Sequence, residues 1–176
     1  VDGVTYALSK YKNKDQILES VYNITIALIN LDYKKLALNF LSKYSLMKPA
    51  YEILKLKKMF IDIKLSNNED AKLLIKALKL AHKISDVNFE WKLSCLMGDF
   101  YINNKDSKEA LNYYNAAFKI VKEIVLSVPE KYRVQYVNTS KALEAYYKLE
   151  AVRQDNLELE ACKTITSMGQ LNEIFN

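Results

Sequence analysis

The sequence predicts an all-α fold built from stacked pairs of helices. Its 176 residues include only three glycines and two prolines, which favours long helices joined by short turns over a sheet rich in tight turns. Apolar residues recur at steps of three and four along most of the chain, the spacing of one helix face. The segment Asn67-Asn68-Glu69-Asp70 returns 36 residues later as Asn103-Asn104-Lys105-Asp106. Such repetition is typical of a stack in which each helix pair buries its apolar face on its neighbours.

In the first half of the chain, apolar periodicity and breakers predict four helices. They cover about residues 15–31, 32–47 (with Asp32 or Tyr33 as the start), 49–65 and 70–84. Pro49 suits the first turn of the third helix, because proline has no N–H to lose there. The polar segment at 67–70 predicts the turn before the fourth helix.

The second half begins with two long predicted helices, at about 87–103 and 106–127. Asp106 or Ser107 is suited to cap the second of them. Pro129 is expected to start a short helix, and Thr139 or Ser140 to cap one that runs past Val152. A last helix is predicted over much of 157–175.

Five positions on either side of the turn at 103–107 match two helices in close contact. Small residues suit the points where the backbones approach, and aromatic residues suit the gaps. These positions are Gly98, Tyr101, Ala110, Tyr114 and Ala117. Their spacing resembles the tetratricopeptide repeat, a helix–turn–helix of about 34 residues. The resemblance is good for 91–124, fair for 51–84 and poor for 15–47.

The resemblance implies a right-handed α-α superhelix over residues 1–155. Its helix pairs would lie at about 15–47, 51–84, 88–124 and 129–155, followed by a linker or capping helix over 156–176.

The C-terminal segment 165–174 resembles the entry helix of GAF sensory domains. This similarity favours a bacterial multidomain signalling protein in which a GAF or diguanylate cyclase module follows. A plain capping helix is the alternative. An apolar seam also runs through this region and is compatible with a coiled coil, and hence with a homodimer. The seam consists of Leu157, Ala161, Thr164, Met168, Leu171 and Phe175.

Charge and composition limit the classes of partner. The net charge is +5, with +6 in residues 1–88 and −1 in residues 89–176. Only two arginines are present, which argues against nucleic acid because arginine dominates phosphate and base recognition. No apolar run is long enough for a membrane span, and Cys95 and Cys162 are too far apart to suggest a disulfide framework. These features predict a cytoplasmic protein that does not bind membranes.

The sequence predicts no catalytic residue, metal site or cofactor. His82 is the single histidine, and its neighbours do not resemble a phosphorelay motif. Three scattered glycines cannot build a phosphate-binding loop, and the spacings of zinc and calcium motifs are missing. An enzyme with a composite helical active site remains an alternative whose residues cannot be named.

The resemblance to tetratricopeptide repeats also implies a binding surface. In that family, ligands lie in a concave groove lined by the first helix of each pair. The matching positions here are Leu56, Met59, Ile63, Lys92, Cys95, Asp99 and Ile102. A mainly apolar groove predicts a protein or peptide partner, unless the chain's own terminal helix fills it.

We therefore expect an interaction module that relays binding to an adjoining output domain. The alternative is a peptide-pheromone receptor that regulates transcription or a phosphatase.

Overall fold

The computed structural model describes residues 13–66, 70–154 and 165–175. Throughout these residues the regular secondary structure is helical, without a β-strand, so the predicted all-α class is confirmed. The chain divides into two compact units, residues 1–84 and residues 85–176.

The first unit is organised around its third helix. Its described helices are α1 (Lys14–Asn30), α2 (Lys34–Ser42), α3 (Glu52–Leu65) and α4 (Ala71–Lys83). Helix α1 packs against α2 and α3, and α3 also packs against α4. The core between α1, α2 and α3 is formed by Leu18, Val21, Tyr22, Ile29, Ala37, Phe40, Leu54 and Ile61.

Side-chain caps define where two of these helices begin. The Asn13 side chain accepts a hydrogen bond of 2.9 Å from the Asp15 N–H, and Asp70 accepts one of 2.9 Å from the Leu73 N–H. Each bond satisfies a backbone donor that has no partner within the first helical turn. The other turn residues predicted before α4, 67–69, lie outside the described residues.

Two predicted boundaries in the first unit are wrong. Helix α2 ends at Ser42 instead of near Met47. Turns follow it. Pro49 lies before α3 instead of in its first turn, since the cap of α3 is the extended residue Tyr51. The Ala50 N–H donates a 3.3 Å hydrogen bond to the Asp15 carboxylate, which holds this connection against the start of α1.

The second unit is organised around its longest helix. Its described helices are α5 (Val87–Asn103), α6 (Ser107–Ser127), α7 (Glu130–Ser140), α8 (Leu143–Arg153) and α9 (Met168–Phe175). Helix α6 contacts α5, α7 and α8, and α5 also contacts α8. One core cluster consists of Trp91, Cys95, Ala117, Val121, Val125, Val137, Ala142, Leu143, Ala145, Ile165, Leu171 and Phe175.

The turn between α5 and α6 follows the sequence prediction closely. Asp106 caps α6, because its carboxylate accepts a 3.1 Å hydrogen bond from the Glu109 N–H. Lys105 adopts a left-handed conformation with φ of 61°, and the Asp106 N–H returns to the Tyr101 carbonyl. These bonds close the end of α5 in the manner of a left-handed helix C-cap.

The predicted start of α8 is wrong. Thr139 and Ser140 end α7 instead of capping the next helix, and the Thr139 hydroxyl donates back to the Gln135 carbonyl at 2.9 Å. The chain reverses at Lys141, whose φ is 58°. Helix α8 then begins at Leu143 without a side-chain cap.

The helix predicted over much of 157–175 is described only from residue 165 onward, and there it covers Met168–Phe175. Residues 165–167 are not helical, because Asn138 holds the backbone of Ile165 in another conformation. Its amide donates to the Ile165 carbonyl at 2.7 Å and accepts from the Ile165 N–H at 3.0 Å. After this anchor, α9 buries Leu171 and Phe175 in the core of the second unit.

The described part of the proposed coiled-coil seam thus packs within its own unit. The Phe175 ring stacks on Phe118 of α6 with centroids 5.7 Å apart, and Met168 packs against the same core. Three other seam residues lie outside the described residues: Leu157, Ala161 and Thr164. Cys162 lies outside them as well.

Candidate functional site

In the first unit, only one of the predicted groove residues lies near the surface. Leu56 and Ile63 have 0% exposed surface, whereas Met59 is half-buried. Helix α3 packs against both α1 and α4 and therefore buries several of its faces. Leu56 and Ile63 consequently lie in the interior, not on the open surface that the groove prediction requires.

In the second unit, three of the four predicted groove positions on α5 pack against other parts of the unit, and Lys92 contacts its own helix. Cys95 is 2% exposed, and Ile102 packs beside the small apolar cluster at the α6–α8 contact. The Asp99 carboxylate accepts hydrogen bonds of 2.6 and 2.5 Å from the Lys148 ammonium of α8. Lys92 lies over the Trp91 ring, 5.5 Å from its centroid. Helix α8 thus covers the Asp99 position, and Cys95 shares a core cluster with Leu171 and Phe175 of the C-terminal helix.

Asp99 is the centre of a polar network inside the second unit. Besides Lys148, the Tyr114 hydroxyl donates a 2.7 Å hydrogen bond to it. Glu144 lies 3.1 Å from the Lys148 ammonium, one turn earlier on α8. The Lys148 side chain is only 8% exposed. A buried cation of this kind requires paired carboxylates, and here it has two.

The surroundings of Lys148 and Tyr114 raise the pKa of both side chains, so both stay protonated near neutral pH. Burial by itself lowers the pKa of Lys148, but the carboxylates of Asp99 and Glu144 outweigh it and raise the pKa. Burial raises the pKa of Tyr114, and the neighbouring Asp99 charge raises it further. Neither side chain is therefore prepared to act as a base or nucleophile near neutral pH. This arrangement favours a structural role for the network.

The raised pKa values predict a loss of stability in alkali. Above the ordinary values of 10.0 for tyrosine and 10.5 for lysine, the unfolded chain releases protons that the folded chain keeps. The free energy of unfolding should then fall by up to about 1.4 kcal/mol per pH unit for each group, and should not change on this account at lower pH. Urea unfolding of Tyr114→Phe across this range should show a shallower fall than the unaltered protein. The matched control is Tyr132→Phe, at a half-exposed tyrosine of α7; equal slopes for all three proteins would contradict the assignment.

The five repeat positions meet where α5 contacts α6. The Tyr114 ring lies directly over Gly98, such that a Cβ atom on Gly98 would be 2.3 Å from the Tyr114 Cε1 atom. Ala110 and Ala117 are fully buried, and the Tyr101 ring stacks on Tyr113 at 5.5 Å. These residues form an internal packing contact between the two helices.

A surface cleft lies between α3 and α4 of the first unit. Its volume is about 540 Å³. Half-buried apolar residues form its floor, and lysines of both helices surround them. It is lined by Pro49, Lys55, Lys58, Met59, Asp62, Lys76, Lys79, Leu80 and Lys83.

The charge around this cleft is predominantly positive. Two of the lysines have acidic partners: Lys58 lies 2.7 Å from Asp62, and Lys83 lies 2.8 Å from Glu52. The hydrogen bond from Lys83 lowers the pKa of Glu52, so this carboxylate stays charged. Three further lysines form no ion pair with any described residue: Lys55, Lys76 and Lys79.

Sequence reasoning found Met59 but missed the rest of the cleft. The signal was present in α4, where Lys76, Lys79 and Lys83 recur at steps of three and four around Leu80. That spacing places the lysines on one side of the helix. The sequence shows the positive charge only as a property of the whole first half of the chain, whereas its concentration beside α3 depends on the tertiary structure.

Three other candidate features concern the described residues: a histidine site, a metal site and a membrane-spanning helix. His82 is exposed on α4, next to the fully buried Ala81. Among the described residues there is no cluster of histidine, cysteine or acidic side chains fit to hold a metal ion. Their helices also include none with the length and apolar character needed to cross a bilayer.

No family model, curated protein or solved structure is significantly similar to this chain.

Proposed function

We propose that this chain is a helical interaction module that binds a peptide or protein segment in the cleft between α3 and α4. The observation that carries the proposal is the apolar floor of the cleft. Met59 and Leu80 lie at its floor without being fully buried, between helices that are already packed against each other. A concave apolar surface with a polar rim is the usual form of a peptide-binding site.

The proposal includes a repeat architecture related to the tetratricopeptide repeat. Its support is the equivalence of Asp70 and Asp106, which stand 36 residues apart. Each begins the second helix of a pair, and each accepts a hydrogen bond from the backbone N–H three residues later. In this proposal the helix pairs are units of a right-handed superhelix, and binding is relayed to an adjoining output domain.

The proposal assigns no catalytic role to the chain. In the described part of the second unit, the buried charged cluster is one in which Asp99 and Glu144 both pair with Lys148. This pairing links α5 to α8 without requiring a substrate.

The test is a selection of peptides from a displayed library of random dodecapeptides, with the full chain immobilised. We expect enriched peptides that bind the unaltered protein and lose at least about ten-fold in affinity on Met59→Gln with Leu80→Gln. Glutamine has an unbranched side chain that suits a helix, and its amide would have to be desolvated against the apolar group of a bound peptide. Fluorescence anisotropy with the synthesised peptides measures the change.

The matched control is Leu36→Gln with Leu38→Gln. These leucines are exposed on α2 in the same unit and do not line the cleft, so affinity should be unchanged. A selection that enriches no peptide would overturn the proposed function. Peptides that bind equally well to the cleft variant would place the binding surface elsewhere.

A further inference from the structure

We infer that the partner segment for this cleft is an acidic peptide that seats an apolar side chain between Met59 and Leu80. This inference rests on the proposed function, and it adds the chemical class of the partner. Two observations carry it: the charge of the rim and the arrangement of that charge around an apolar floor.

The rim has more positive charge than the acidic side chains of the described residues compensate. Among the described residues, five lysines line the cleft together with a single acidic residue, Asp62. Glu52 adds a second acid through its ion pair with Lys83. The excess positive charge is that of Lys55, Lys76 and Lys79. All three are exposed and can approach a carboxylate without first breaking an ion pair of the described residues.

Lysines that form no ion pair with a described residue lie on both sides of the apolar floor. On α3, Lys55 is one turn before Met59; on α4, Lys76 is one turn before Leu80. A segment that places an apolar side chain on the floor therefore meets ammonium groups on each side. Carboxylates next to an apolar residue complement both features at once. An uncharged segment would contact the apolar floor but would form no ion pair with these ammonium groups.

The same chemistry favours a peptide over a nucleic acid. Both arginines of the chain, Arg133 and Arg153, belong to the second unit, and the residues lining the cleft include no aromatic side chain. Proteins that bind single-stranded nucleic acid combine basic residues with aromatic rings on which bases stack. The cleft provides an apolar depression for one or two side chains in place of a stacking surface.

The experiment first determines the amino-acid composition of the selected peptides and then replaces lysines of the rim by glutamate. We expect the peptides enriched on the unaltered protein to have aspartate or glutamate on either side of a large apolar residue. Lys76→Glu with Lys79→Glu should weaken their binding by about ten-fold or more at low salt, and added salt should weaken the binding of the unaltered protein. The matched control is Lys14→Glu with Lys35→Glu, which makes the same change in net charge at the first turns of α1 and α2, where an acid is favourable.

The outcomes separate this inference from the proposed function. Neutral or basic peptides that still depend on Met59 and Leu80 would overturn the acidic partner and leave the peptide-binding module standing. Failure to enrich any peptide would overturn both. A poly-thymidine oligonucleotide, or vesicles of phosphatidylserine and phosphatidylcholine, that bound more tightly than the selected peptides and lost binding on Lys76→Glu with Lys79→Glu would also overturn the inference. Equal loss on the control variant would show that net charge, and not this cleft, governs binding.

Discussion

Replacing Gly98 by leucine should lower the free energy of unfolding by about 3 kcal/mol or more. A Cβ atom at this position would lie 2.3 Å from the Tyr114 ring, well inside any contact distance. The ring cannot move away cheaply, because Tyr114 is almost fully buried and its hydroxyl binds Asp99. Chemical denaturation followed by circular dichroism measures the loss.

The chain contains a matched control for this prediction. Gly169 lies on the exposed side of α9, and its nearest neighbour for an added Cβ atom is the Ser167 hydroxyl at 3.8 Å. Gly169→Leu should therefore leave stability unchanged or raise it slightly, since leucine is the better helix former. Equal effects of the two substitutions would show that α5 and α6 do not approach each other at Gly98.

Replacing Lys148 by methionine should cost about 3 kcal/mol of stability. Methionine fills a similar volume, but it leaves the carboxylate of Asp99 partly buried without its cation. Tyr114 then remains its one side-chain donor among the described residues. Glu144 also loses the ammonium group that lies 3.1 Å away.

A double-mutant cycle separates this ion pair from simple packing. With Asp99→Asn in the background, Lys148→Met should cost about 1–3 kcal/mol less, because no buried charge is left unpaired. The control is Arg153→Met on the same helix, whose ion pair with Glu150 is half-exposed and should contribute less than about 1 kcal/mol. Additive effects at Asp99 and Lys148 would contradict the network.

Local sequence was sufficient for much of the helical framework. The predicted bounds of α5 agree with the structure, and the prediction that Asp106 or Ser107 caps α6 is confirmed for Asp106. The predicted small and aromatic positions, including Gly98 and Tyr114, do lie at a helix–helix contact. Capping and helical spacing depend on residues within one or two turns of each other, so they can be predicted from a short segment.

Local sequence was misleading where a distant segment decides the conformation. Ser140 is a good capping residue in isolation, yet it ends α7. Ile165 follows a helical apolar pattern, yet it is held out of a helix by Asn138, 27 residues earlier. At Ile165 these long-range hydrogen bonds outweigh a local helix preference of about 1 kcal/mol.

The sequence by itself determined the helical class, most helix positions, the cap of α6 at Asp106 and the close approach at Gly98. Only the tertiary structure decided which helix faces remain available to a partner. The Asp99 carboxylate accepts a hydrogen bond from Lys148, 49 residues away. Leu56 and Ile63 are buried because α3 packs against two other helices. The cleft likewise arises because Lys76 and Lys79 of α4 come beside Met59 of α3. The physical reason is that periodicity shows which residues share a helix face, whereas exposure depends on what packs against that face.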